Sequence, residues 1–102
     1  MERKQLLLEE IKNESNNPFN HYLYALELIK ENNEKEAENK LDDLIKSFPE
    51  YLPTYYTFAN FLIQKENEEK SLNIAKLGVI IANEQKNYKT LNELEQFILI
   101  YS

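Results

Sequence analysis

The stretch HYLYALELIKENN, residues 21–33, returns in altered spelling as YYTFANFLIQKEN, residues 55–67. Tyr24 and Phe58, Ala25 and Ala59, Leu28 and Leu62, Ile29 and Ile63, and Asn33 and Asn67 all stand 34 positions apart. A fixed period of roughly 20–50 residues marks stacked units, each of which buries its apolar side against the next. Within both copies the apolar residues recur three and four positions apart, the spacing of one helix face. The repeated unit is therefore helical.

Working outward from it, Asn17 and Pro18 open the first copy. Asn accepts a backbone N–H ahead of a helix, and Pro suits a first turn because its missing donor would be unpaired there anyway. The helix predicted from Pro18 runs to about residue 31, where Asn32-Asn33 breaks it, since Asn tolerates the left-handed conformation. A helix over 34–47 carries Ala37, Leu41, Leu44 and Ile45 on one side and stops at Phe48-Pro49. Pro53 opens the next, which reaches about Lys65 and is broken at Asn67. The fifth, 68–83, uses Leu72, Ala75, Val79 and Ala82. Glu84-Gln85-Lys86-Asn87 forms a polar connector, and a last helix spans Tyr88 to Tyr101. Ahead of the first copy, residues 2–14 place Leu7, Leu8 and Ile11 at helical spacing before the turn Ser15-Asn16-Asn17. No strand alternation or low-complexity tract interrupts this series, so the chain reads as all-α, about six helices joined by short turns and folded back as antiparallel hairpins.

The bulk numbers agree and narrow the function classes. A chain of 102 residues suits one compact domain. With 42% hydrophobic and 29% charged residues it has the composition of a globular protein, and its single Gly and three Pro leave few places for tight turns. Twelve basic against 18 acidic residues give a formal net charge of -6, which offers no footprint for nucleic acid or an anionic membrane. There is no Cys, so disulfides, thiolate catalysis and cysteine-ligated metals fall away, and a reducing compartment fits. The opening MERKQLLLEEIK has three consecutive leucines before Glu9 and Glu10, short of the ~7–15 apolar residues of a signal peptide. A cytoplasmic location is the expectation.

Small residues sit where two closely packed helices need them: Ala25 and Ala59 in the first helix of each pair, Ala37 and Ser71 in the second. Tyr24, Leu28, Leu41 and Ile45, with counterparts Phe58, Leu62, Ala75 and Val79, fill the space between. At these positions the sequence resembles the tetratricopeptide repeat, whose 34-residue unit follows W-x2-L-G-x2-Y, then A-x3-F, then P. The first unit, 18–51, reads His21-x2-Tyr24-Ala25-x2-Leu28, Ala37-x3-Leu41 and Pro49. The second, 52–85, reads Tyr55-x2-Phe58-Ala59-x2-Leu62 and Ser71-x3-Ala75, with Asn83 in place of Pro. Residues 2–17 look like a degenerate N-terminal helix, because Leu7 and Ile11 precede Leu41 and Ile45 by one period. Residues 86–102 depart from the period. A shift to 36 aligns Leu91, Leu94 and Ile98 with Tyr55, Phe58 and Leu62, assigns two extra residues to the connector, and puts Glu95 in the small-residue column, as in a capping helix.

The resemblance implies an α-solenoid that acts as a protein-protein interaction adaptor or scaffold, holding a peptide or protein segment on the concave face lined by the first helix of each pair. Carried over by position, that face comprises Phe19, Tyr22, Leu26 and Ile29, then Tyr56, Asn60, Ile63 and Gln64, and in the shifted register Lys89, Asn92 and Gln96. Packing against neighbouring helices competes with that role at Phe19, Leu26 and Ile29. Amides beside aromatic rings suit an extended peptide. A subset of the family clamps the acidic C-terminus of heat-shock chaperones with Lys and Asn. Tyr22, Leu26 and Thr57 stand at those places, so that partner is disfavoured. The alternative is a homodimer through the apolar tail FILIY, residues 97–101.

Chemistry finds little support. His21, the single histidine, occupies the Trp column of the pattern, where packing is expected over proton transfer. Asp42-Asp43, Glu9-Glu10 and Glu68-Glu69 are adjacent on helices and do not face each other. No metal, nucleotide or hydrolase motif is present, so no cofactor and no catalysis are expected.

Overall fold

A computed structural model describes residues 3–102. Six helices run in chain order: α1 Arg3–Asn13, α2 Pro18–Lys30, α3 Glu34–Ser47, α4 Pro53–Gln64, α5 Glu68–Glu84 and α6 Tyr88–Tyr101. They form an all-α helical repeat array, and every helix lies within two residues of its sequence-based bounds. The punctuation explains this agreement. The Asn17 side chain accepts from the Phe19 N–H at 3.0 Å ahead of Pro18, and Asn67 and Asn87 cap α5 and α6 from Lys70 and Thr90.

One hairpin turn is used three times. After α2, α4 and α5 the residues Asn32, Glu66 and Lys86 take positive φ of 60°, 62° and 58°. The following asparagine in each case donates its N–H five residues back, Asn33 to Leu28, Asn67 to Leu62 and Asn87 to Ala82, at 2.9–3.0 Å. This is the Schellman closure, which satisfies carbonyls that a helix end leaves unpaired. The break after α4 therefore lies at Glu66, while Asn67 begins the next helix.

The chain divides into two compact units, Met1–Tyr51 and Leu52–Ser102. In the first, α2 packs against both α1 and α3. Leu7, Ala25, Leu28, Ala37, Leu41 and Leu44 are buried, whereas Leu8, assigned to the apolar side of α1, is exposed and Tyr24 and Ile45 are half-buried. Salt bridges Arg3–Glu27 at 2.8 Å and Lys4–Glu31 at 3.2 Å tie α1 to α2 along the surface. The Lys4 ammonium is raised above the ordinary lysine range, first by its hydrogen bond to Glu31.

In the second unit α5 lies against α4 and α6. Tyr55, Phe58, Ala59, Phe61 and Leu62 of α4, Ile74, Ala75 and Ala82 of α5, and Leu94 and Phe97 of α6 make its core. The small column works as packing demands: Ser71 is fully buried and its hydroxyl donates to the Ala59 carbonyl at 2.6 Å. The one glycine serves packing as well. Gly78 is buried in mid-helix, where an added Cβ would stand 2.7 Å from Tyr55 Cβ and 2.9 Å from Leu94 Cδ1. Buried Leu94 agrees with the register shifted by 36. The extra residues, however, lengthen α5 to 17 residues against 14 in α3, and the connector shrinks to Gln85–Asn87.

Candidate interaction surface

Helical periodicity sorts the first-helix residues into stripes. On α2, Phe19, Tyr22, Leu26 and Ile29 follow one another at intervals of three and four. Phe19 is 52% exposed and Leu26 is also exposed, so the packing expected to compete for them does not cover these two side chains, while Ile29 is half-buried. Tyr22 is half-buried, with its ring edge-on to Tyr51 at 5.7 Å between centroids. Burial raises the Tyr51 phenol above its usual range, and Tyr22 adds to that shift.

On α4, Tyr56, Asn60 and Gln64 form an exposed stripe at intervals of four, with Ile63 half-buried beside it. Tyr56 is 42% exposed, and its ring meets Phe97 of α6 edge-on at 5.8 Å. Phe97 in turn packs on Tyr101 at 4.7 Å. The result is a run of three rings that sets α6 beside α4, the arrangement aromatic quadrupoles favour. Lys89, Asn92 and Gln96 are exposed along α6 at intervals of three and four. Their amides and ammonium are accessible to a ligand, as are those of Asn60 and Gln64.

Two features of the second unit were not read from the sequence. Phe97, grouped with the apolar tail, is only 4% exposed and belongs to the core, whereas Leu99 and Ile100 are 78% and 71% exposed. The interval of four between Phe97 and Tyr101 was the signal for their stacking. The second feature is a groove of about 490 Å³ lined by Lys76 and Val79 of α5 and Glu95, Ile98 and Leu99 of α6.

His21 takes the packing role expected of it. Its ring lies against Phe48 at 5.4 Å. Nε2 is 2.9 Å from the Ser15 carbonyl, which can only accept, and Nδ1 is 2.7 Å from the Lys40 ammonium, which can only donate. The tautomer with the proton on Nε2 satisfies both contacts. Burial lowers the Lys40 ammonium below the ordinary lysine value, against a smaller opposing pull from Asp43. Among the described residues no three His, Asp or Glu side chains converge to hold a metal ion, and no helix is long and apolar enough to cross a membrane.

Neither a family model nor a curated protein matches the chain. Solved structures do. A solution NMR structure of a tetratricopeptide repeat domain protein from Salinibacter ruber is similar at a TM-score of 0.81 and 26% identity, covering 84% of this chain and 87% of that one. A crystal structure of a tetratricopeptide repeat domain protein from the same organism is similar at 0.76 and 26% identity, covering 81% and 93%. The chain thus has a tetratricopeptide-repeat-like fold, one used in general for protein interaction.

Proposed function

We propose that this protein is a small non-catalytic adaptor that binds an extended peptide or protein segment on the surface presented by the first helices of its hairpins, the concave surface in proteins of this fold. The observation that carries the reading is the composition of the exposed stripes. In the first unit Phe19 and Leu26 expose apolar area; in the second Tyr56 does, and Asn60, Gln64, Asn92 and Gln96 offer exposed amide donors and acceptors. A peptide needs both, because its backbone must be hydrogen-bonded where its side chains are buried. Lys89 is the cation of the α6 stripe, and with a chain of net charge -6 the reading favours a neutral or basic partner. The engagement of both His21 ring nitrogens within the fold argues against a role for it in proton transfer.

Affinity capture from a lysate of the source organism tests this reading. The wild type should retain a partner that Tyr22→Ala with Tyr56→Ala releases. Asn60→Glu with Gln64→Glu, which alters exposed side chains only, should release it too while the helical circular dichroism stays unchanged. Retention by both variants would place the binding surface elsewhere.

A further inference from the structure

The groove between α5 and α6 lies outside the surface just assigned, and its chemistry is self-complementary. Val79, Ile98 and Leu99 make an apolar floor, and Leu99 is the most exposed large hydrophobic residue of the described chain. Ile80, one turn beyond Lys76, is 55% exposed and extends the apolar strip along α5. Lys76 on one wall and Glu95 on the other are exposed, and among the described residues neither forms an ion pair.

From this arrangement we propose that the groove is the contact surface of a two-fold symmetric homodimer, in which α6 of each copy lies antiparallel against α5 of the other. The placement of the two charges identifies the occupant. α5 and α6 are joined by a short turn and run antiparallel, and Gly78 abuts Leu94. Lys76, two residues before Gly78, is therefore level with the part of α6 that follows Leu94, and Lys76 and Glu95 stand on opposite walls at one level of the groove. A two-fold axis along the groove exchanges its walls and keeps each level in place, so Glu95 of each copy comes opposite Lys76 of the other while Leu99 enters the facing floor. An isologous contact requires this kind of reciprocity, with residue i meeting j and j meeting i. Glu95 adds a second restriction. It occupies the column filled by Ala25 and Ala59 elsewhere, so a helix approaching there must keep its distance and bring a cation. The second copy supplies that cation as Lys76.

Light scattering and sedimentation from micromolar to near-millimolar protein test the proposal. The wild type should dimerise, and Leu99→Glu should be monomeric throughout with unchanged circular dichroism. Lys76→Glu and Glu95→Lys should each weaken self-association roughly tenfold or more, because two attractive pairs become two repulsive ones. Mixed in equal amounts, these two variants should form a heterodimer, since both cross-pairs then become attractive. A wild type that stays monomeric, a dimer untouched by Leu99→Glu, single charge variants that associate as the wild type does, or a mixture that fails to recover association would each overturn the proposal.

Discussion

Replacing Gly78 by Ala sets two known effects against each other. Glycine in mid-helix costs roughly 0.5–1 kcal/mol relative to alanine, so on propensity alone the change stabilises α5. The added methyl, however, would lie 2.7 Å from Tyr55 Cβ, 2.9 Å from Leu94 Cδ1 and 3.2 Å from Tyr55 Cγ. Tyr55 and Leu94 are themselves buried, and Tyr55 Cβ is attached directly to the α4 backbone, so relief requires α4 and α5 to separate. Inserting a methyl into a packed core costs about 1–3 kcal/mol. The net result is a loss of about 1–2 kcal/mol, or about 4–15 °C in Tm for a chain of this size. Thermal and urea denaturation followed by circular dichroism would measure it. Equal or greater stability in Gly78→Ala would refute the reasoning, because the absent side chain would then not set the spacing around α5.

Two further outcomes follow from buried polar groups in the second unit. The Thr54 hydroxyl is fully buried and has no hydrogen-bond partner among the described residues, so Thr54→Val, which keeps the shape, should raise stability by about 1 kcal/mol in urea denaturation. Burial raises the Tyr55 phenol above its reference value of 10.0, so above that pH the unfolded chain loses the proton first and stability falls. Lys40, whose value is lowered from 10.5, opposes this just below that pH. Comparing the wild type with Tyr55→Phe isolates the tyrosine: the variant should lose less stability between about pH 9 and pH 11.

The helices were legible because proline and asparagine mark their starts at Pro18, Pro53, Asn17, Asn67 and Asn87, and because the period repeats. The helix ends were less so. Glu66 and Lys86 adopt the left-handed conformation without being Gly or Asn, a choice imposed by the hairpin closure that Asn67 and Asn87 complete. Gly78 lies inside the helix read over 68–83, and no local signal marked its role between Tyr55 and Leu94, which depends on two other helices. Leu8 and Phe97 show the limit of periodicity: both lie in apolar runs, yet one is exposed and the other buried, according to which neighbouring helix covers them. The exposed stripes of the candidate surface were readable as stripes because a helix orders its own side chains. The Lys76–Glu95 groove was not, because its walls come from two helices whose relative register is set by core packing.

The central claim is that a partner lies along the α4 and α6 stripes, and photo-crosslinking tests it most directly. A photoreactive phenylalanine analogue would be placed at Asn60, at Gln96 and, for comparison, at Asn73, an exposed position on α5. After irradiation in a lysate of the source organism, adducts would be identified by mass spectrometry. The account predicts one common partner joined to positions 60 and 96 and absent from 73. Adducts at 73 alone, or none at 60 and 96, would contradict it.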